Sequence, residues 1–309
     1  MHLYFIVRVA ARVVFCTGVH RYQTKAVFLY FNQPVCALFI LYNDQLLPEP
    51  EFKLPHTDRA FQYNDGFFET AIVEQGKIRF WKDHQQRMQE AAKALHMELP
   101  DYFLTYDFAE RLLQLAQEPE DKTYGRLKLK VWRAGAGLYS PQTNQVNWLA
   151  TYTSTTPASH QPLQIGICRN VHTAYTSVSH FKGPNAPLYV LAGVEKQSQQ
   201  QDDMLLLNQQ GIVAELISSN IFWLKGSTLY TPSLQTGCVN GILRRNIIRW
   251  CNHKNLTLQQ VLQKPEALFQ SDVVFSANVT GVRAIASING APVQQREELL
   301  LRIREGLNL

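Results

Sequence analysis

The chain has 309 residues, 46% of them apolar and 18% charged, which is the make-up of a globular protein with one large or two medium domains and room for a cleft. Its 30 basic and 25 acidic residues leave a formal charge of +5; they are interspersed rather than gathered in a stripe, which disfavours nucleic acid as a partner. The five cysteines, Cys16, Cys36, Cys168, Cys238 and Cys251, are odd in number and never fall at zinc-finger or C-x-x-C spacing, so free, mostly buried thiols in a reducing, cytoplasmic setting are expected.

Residues 1–9 open as an apolar run, but Arg8 and Arg12 interrupt it before a signal-peptide core forms. Residues 26–42 carry no charge, yet Asn32, Gln33 and Pro34 break them in the middle, which reads as two strands rather than a membrane helix. "CALFILYNDQLL" is a strand ending in an Asn-Asp turn, and "GFFETAIVEQGKIRFW" is a hairpin around Gln75-Gly76. Residues 82–96 place Met88, Ala91, Ala92 and Leu95 on one helical face with Asp83 as cap. A second helix carries Tyr106, Ala109, Leu112, Leu113 and Ala116. "RLKLKVW" alternates Leu127, Leu129 and Val131 with Arg126, Lys128 and Lys130, a half-buried strand with a basic face that either meets solvent or a ligand.

"TSTTPASHQP", residues 153–162, has no apolar period and reads as a linker between a smaller α+β domain over residues 36–152 and a larger one over 163–309. Residues 1–35 precede both as an extension. Beyond the linker the pattern is strand, helix from about Pro187, strand "DMLLLN", a turn at 208–211, strands "NIFWLKG" and "TLYTP", and a helix opening near Gly241. "DVVFSAN" and "VRAIASING" add two strands, and residues 293–307 close with an amphipathic helix. Asp202 and Asp203 are read as a loop. A cleft between two α+β domains is the default place for a site.

Four stretches carry candidate chemistry. In "SHFKGPNAPLYVLAG", Lys182 stands between an aromatic residue and a turn, either as a solvated lysine or as a buried reactive amine. In "GCVNGILRRNII", glycines lead into a helix whose first N–H groups either bind an anion such as phosphate or are ordinarily capped. Glu215 follows the Ile212-Val213 strand and precedes a Ser-Ser-Asn turn, where it either caps the turn or faces a cationic heterocycle. His84 and Arg87 share a face in "KDHQQRMQE", and Arg87 is either a surface residue or a phosphate clamp reaching into a cleft. There is no G-x-S-x-G elbow, H-E-x-x-H motif, Gly-rich dinucleotide fingerprint or metal-spaced His/Cys/Asp/Glu cluster.

Taken in order from about Ala37 to Asn289, these pieces resemble the fold-type IV pyridoxal-phosphate enzymes, the class IV aminotransferase family. "DRAFQYNDGFFET" is similar to the family's D-R-x-x-x-x-G-D-G-x-F/Y-E segment, with Asn64 at the first of those glycines. "HQQRM" resembles its H-x-x-R-L helix, "FKGPN" its K-x-x-N, "LLLNQQGIVAELISSNIFWLKGSTLYTP" its core signature, and "VNGILR" its G-I-T/M-R. The resemblance implies a two-domain α+β fold of the D-amino-acid aminotransferase type, pyridoxal 5'-phosphate as cofactor, and a homodimer with no membrane attachment. It further implies that Lys182 bears the cofactor and shuttles protons, Glu215 pairs with the pyridine nitrogen, and Arg87 with the Ile242 and Leu243 N–H groups holds the phosphate, assisted by Asn278. Phe68, Lys130 and Tyr139 fall at substrate-side positions.

Departures bear on the substrate. Leu243 replaces the family threonine, "RAGAGLYS" lacks an arginine between Arg133 and Tyr139, and Phe68 and Ser140 stand where D-amino-acid enzymes carry tyrosine and histidine. Ala277 stands at the lyase asparagine, with Asn278 one later. The expected activity is amino transfer between an amino acid and a 2-oxo acid by a ping-pong Schiff-base mechanism. Its alternatives are an aminodeoxychorismate lyase releasing pyruvate to form 4-aminobenzoate, and a non-catalytic relative that binds a phosphate-bearing ligand.

Overall fold

The computed structural model describes residues 39–116, 124–294 and 296–309. The extension expected over residues 1–35, most of the uncharged run at 26–42, Cys16 and Cys36 lie outside the described residues. Among the described residues the strands form two sheets.

The first sheet has six antiparallel strands, β1 (Phe39–Tyr42), β2 (Gln45–Pro48), β3 (Gly66–Glu74), β4 (Lys77–Ile78), β5 (Tyr124–Arg133) and β6 (Val146–Ser154), in the order β2-β1-β6-β5-β3-β4. Both expected turns are hairpins whose central residues have positive φ, Asn43-Asp44 at 43° and 74° and Gln75-Gly76 at 49° and 71°, the handedness that matches strand twist. Period-two alternation gives this sheet two unlike faces. Phe67, Ala71, Val73, Leu127, Leu129, Val131, Trp148 and Ala150 form a core with helices α2 (Trp81–Ala94) and α3 (Tyr106–Leu113). The opposite face carries Phe68, Thr70, Arg126, Lys128 and Lys130.

The second sheet begins at Leu163, so Thr153 and Ser154, read as linker, instead complete β6. Its strands are β7 (Leu163–Ile167), β8 (Asp203–Leu207), β9 (Val213–Leu216), β10 (Asn220–Lys225), β11 (Thr228–Pro232), β12 (Leu258–Val261), β13 (Val273–Asn278) and β14 (Gly281–Ile288), ordered β12-β11-β10-β13-β14-β7-β8-β9, with β15 (Ala291–Pro292) beside β14. One face packs Phe222, Phe275 and Ala284 on α5 (Ile242–His253) and α7 (Glu298–Leu307), through Leu243, Ile247, Trp250, Leu300 and Ile303. Another cluster gathers Ile165, Leu205, Trp223, Val274 and Ile285. A further helix, α4 (Ala186–Ser198), packs on β8.

Several local expectations are corrected. Asp83 does not cap α2: the N-cap is Phe80, with φ 55°, and the Asp83 carboxylate instead accepts from Arg249 Nη2 at 2.6 Å and Asn246 Nδ2 at 3.1 Å on α5. Tyr106 is exposed, because Phe108 takes the inward position on α3. Asp203 is the buried first residue of β8 rather than part of a loop, accepting from the Met204 and Ile217 N–H groups. The last helix begins at Glu298, after β15.

Candidate functional site

Lys182 lies between β7 and α4, where its loop is stitched to β3 of the other sheet. The Phe68 N–H donates to the Lys182 carbonyl at 2.9 Å, and Asn64 Nδ2 donates to the Gly183 carbonyl at 3.1 Å. The backbones approach so closely that a Cβ on Gly183 would fall 2.5 Å from the Gly66 carbonyl oxygen. Phe181 anchors the loop in the first core, edge-on to Phe67 at 6.3 Å. Asn64 adopts φ 50°, a left-handed conformation that asparagine tolerates better than most residues. That is why it can stand where the resembling family has glycine, and its side chain then adds the bond to Gly183.

The Lys182 amine sits 6.0 Å from the Phe68 ring centroid. Burial, reinforced by the Arg87 charge, pulls it down to about 8, against the opposing pull of Glu69 and Glu215. A lysine in this range exchanges its proton readily near neutral pH.

Arg87 is not a surface arginine; it is 2% exposed. Its Nε and Nη2 bond Glu69 Oε1 and Oε2 at 2.8 and 2.6 Å, while Nη1 points to the Asn240 carbonyl at 3.4 Å. His84 Nδ1 approaches Glu69 Oε2 at 2.6 Å. Burial alone would raise the Glu69 carboxyl, but the Arg87 charge and the His84 hydrogen bond outweigh it and bring it to about 2. Glu69 is therefore ionised, and His84 Nδ1 donates the hydrogen.

Asn240 is the junction at which these parts meet. Its N–H donates to the His180 carbonyl at 3.0 Å, its carbonyl also accepts from Arg245 Nε, and its Oδ1 accepts from Arg244 Nη1 at 3.1 Å. Gly241 then caps α5, so the Ile242 and Leu243 N–H groups lack intrahelical acceptors in a first turn, directly after the Asn240 carbonyl that Arg87 Nη1 reaches. A Cβ on Gly241 would lie 2.2 Å from Asn220 Oδ1, which requires glycine at this approach.

Glu215, on β9, is 3% exposed and does not cap the turn behind it. Its Oε1 accepts from the Tyr189 hydroxyl at 2.7 Å and its Oε2 from the Val239 N–H at 3.0 Å. Burial pushes its carboxyl up to about 7, against the lowering effect of these bonds and of the Lys182 and Arg244 charges.

The remaining residues expected at the site are placed unevenly. Phe68 and Lys130 face each other across β3 and β5, and the half-buried Lys130 Nζ reaches Asn64 Oδ1 at 3.4 Å. Burial, then Lys128, lowers its pKa. The Asn278 amide is spent on Ser218, Ser219 and Thr280 at the end of β13, and among the described residues no hydrogen bond joins it to Arg87 or α5. Tyr139 is 88% exposed and packs on Tyr63 at 5.5 Å, away from Lys182. Among the described residues no His/Cys/Asp/Glu group is arranged to hold a metal ion, and no helix is long and apolar enough to cross a membrane.

Glu69, Tyr189 and Asn240 were not assigned roles from sequence. The signal for Glu69 was present, as one carboxylate among Phe67, Ala71 and Val73 on the inward face of β3, a position that demands a buried partner. Tyr189 and Asn240 gave no comparable signal, since both depend on which loops the fold brings together.

Both sheets and their helices follow an architecture already known from solved structures. With a TM-score of 0.79 and 19% identity, the chain is similar to the branched-chain aminotransferase of Thermoproteus uzoniensis, over 88% of this chain and 94% of that one. This is the two-domain α+β fold of the fold-type IV pyridoxal-phosphate enzymes. The model of the amino-transferase class IV family matches residues 66–288, and the chain belongs to that family. Relatives include the aminodeoxychorismate lyase of Vibrio harveyi, 26% identical over 247 residues, covering 78% of this chain and 89% of the relative. The D-alanine aminotransferase of Bacillus licheniformis is 24% identical over 269 residues, covering 82% and 89%.

Proposed function

We propose that this protein is a pyridoxal-phosphate-dependent aminotransferase that moves an amino group between an amino acid and a 2-oxo acid. The observation that carries this reading is the placement of the buried Lys182 amine, brought down to about 8, within the electrostatic reach of both Arg87 and Glu215. The residues present fit the cofactor. Arg87 spends Nε and Nη2 on Glu69 and keeps only a long 3.4 Å bond from Nη1 to the Asn240 carbonyl, just before α5, and Glu215 keeps lone pairs in a buried setting.

When bound, pyridoxal phosphate supplies an aldehyde for amines to condense with and a ring that accepts the electron pair left at the substrate α-carbon. Arg87 Nη1 and the Ile242 and Leu243 N–H groups would hold the phosphate, combining a guanidinium with a helix N-terminus. Glu215 would face the ring nitrogen. Lys182 Nζ, poised near neutrality, would take the α-proton and return it, and Phe68 and Lys130 would border the substrate. A 2-oxo acid would collect the amine in the second half-reaction. Asn278 and Tyr139 would act, if at all, only after their present contacts are given up, and we assign them no step.

A second reading, elimination of pyruvate by a lyase on the same scaffold, is supported by the similarity to the Vibrio harveyi lyase and by the apolar Leu243 in the phosphate turn. The visible spectrum of the purified, cofactor-loaded protein separates the readings. Transamination requires an absorption band that bleaches with one member of a panel of L- and D-amino acids and returns with a 2-oxo acid. A band that persists through the panel favours the lyase, and the absence of any band leaves a phosphate-ligand-binding relative.

We also propose a cytoplasmic homodimer. The buried, unpaired Cys168, Cys238 and Cys251 suit a reducing compartment, and the exposed Val190, Leu191 and Val194 on α4 give an apolar face suited to a second copy. Cell fractionation tests the first, and light scattering across a dilution series tests the second.

A further inference from the structure

Among the described residues Tyr189 is the one side chain that hydrogen-bonds Glu215, and the proposed cofactor contacts do not include it. It lies on α4, the helix that follows Lys182, so the same short segment supplies the amine and reaches the carboxylate. We propose that Tyr189 is a positioning residue for the ring-nitrogen partner: its hydroxyl donates to Glu215 Oε1, holds the carboxylate in place and keeps it ionised, so that the proton of the pair stays on the ring nitrogen. This inference rests on the pyridoxal-phosphate reading.

A buried carboxylate is a strong base, and Glu215 is pushed up to about 7 by burial. Facing a pyridine nitrogen, such a carboxylate competes for the proton. If it wins, the result is a neutral acid hydrogen-bonded to a neutral ring, which accepts electrons poorly. Two donors already stabilise the anion, the Val239 N–H on Oε2 and the Tyr189 hydroxyl on Oε1, and each favours the charged form. The backbone donor is fixed by the fold; the hydroxyl can be removed without altering the chain. Burial and the Glu215 charge push the Tyr189 phenol well above its ordinary value, so it remains a donor over the whole working range. Around the pair, Lys182 and Arg244 favour the ionised carboxylate, and Cys238, itself pushed up to about 11 by burial, stays a neutral thiol.

The test uses the protein loaded with pyridoxal phosphate carrying 15N in the ring and compares wild type with Tyr189→Phe. The nitrogen chemical shift reports directly whether the ring nitrogen bears the proton. Wild type is expected at the protonated value, and Tyr189→Phe displaced toward the unprotonated one, with kcat reduced while KM for the amino donor stays within about twofold, as for an interaction that acts on the transition state. A second variant, 3-fluorotyrosine installed at position 189, makes the hydroxyl a stronger donor, lowers the proton affinity of the Glu215 carboxylate, and is expected to keep the pair's proton on the ring nitrogen while lowering the pH at which the pair gives it up. Identical nitrogen shifts and titrations in all three proteins overturn the inference, as does a loss of kcat in Tyr189→Phe with the nitrogen unmoved. Failure of wild type to bind the labelled cofactor overturns the pyridoxal-phosphate reading instead. Should Tyr189→Phe fail to fold, the fluorotyrosine protein decides the matter alone, because it keeps the bond and changes only its strength.

Discussion

The half-buried Lys182 and the buried Glu69 are ionisable residues with opposite energetics, and each predicts its own mutant. The Lys182 amine falls from 10.5 to about 8 on folding, so between those values the unfolded chain binds more protons and stability rises with pH. Below 8 the full cost of burying the ammonium is present. In the cofactor-free protein, Lys182→Met should therefore gain about 1–3 kcal/mol at pH 7 in urea denaturation and lose the rise above pH 8, while losing the cofactor's visible band. A variant that is less stable than wild type would show that the amine is solvated. Glu69 runs the other way. Its carboxyl drops from 4.5 to about 2, a contribution fully present above 4.5 and lost as pH falls toward 2. Removing it strands Arg87, so Glu69→Ala should cost about 3–5 kcal/mol and flatten the acid limb of the stability curve between those pH values. It should also weaken cofactor retention, measured by dialysis, because nothing then aims Arg87 Nη1 at Asn240.

At the scale of the element, the packing of α2 against α5 sets the place proposed above for the cofactor phosphate. Asp83 of α2 holds Arg249 and Asn246 of α5, and Glu90 of α2 holds Arg245 at 2.5 and 3.0 Å. Asp83 is buried while Arg249 is half exposed, so the carboxylate side matters more. Asp83→Ala should lower stability by about 1–3 kcal/mol and weaken binding of pyridoxal phosphate in a fluorescence titration. An unchanged affinity would mean that α2 and α5 hold their positions without this tie. The helices themselves were legible in the sequence, since Met88, Ala91 and Ala92 recur at helical spacing and Gly241 announces the start of α5. The role of Asp83 was not: three residues into a helix pattern, an acidic residue near the N-terminus reads as a cap, and only the neighbouring helix shows what it bonds. Phe80, with positive φ, takes the cap position instead, a conformation that aromatic residues seldom announce.

For the whole molecule, polar ties join the two sheets and their helices. Among the described residues these include Phe68 N–H to the Lys182 carbonyl, Arg87 to the Asn240 carbonyl, Glu90 to Arg245 and Asp83 to Arg249. A ligand whose phosphate engages Arg87 and α5 while its ring lies near Lys182 and Glu215 would therefore tie both halves together. Pyridoxal phosphate should raise the melting temperature, by a stabilisation of about 2.7 kcal/mol at a hundredfold excess over Kd, and inorganic phosphate at equal concentration should raise it less. Calorimetry checks both, and equal shifts would confine binding to the phosphate end.

By itself the sequence determined which segments alternate with period two or recur at helical spacing, and so most of the core-facing positions, though not on α3, where Phe108 rather than Tyr106 turns inward. Its ordered motifs, through their resemblance to a known family, also singled out Lys182, Arg87 and Glu215, whereas the local pattern around each residue left a bland reading open. Tertiary structure alone decided the partners of those residues. Glu69 reaches Arg87 across 18 positions in the chain, and Val239 reaches Glu215 across 24. Such pairings depend on loop placement and on backbones approaching at Gly66 and Gly183, for which a linear pattern carries no period. The same physics sets the surroundings of Asn278 and Tyr139, whose side chains bond Ser219 and Thr280 and pack on Tyr63, because hydrogen bonds and ring contacts are won by whatever lies nearest in space.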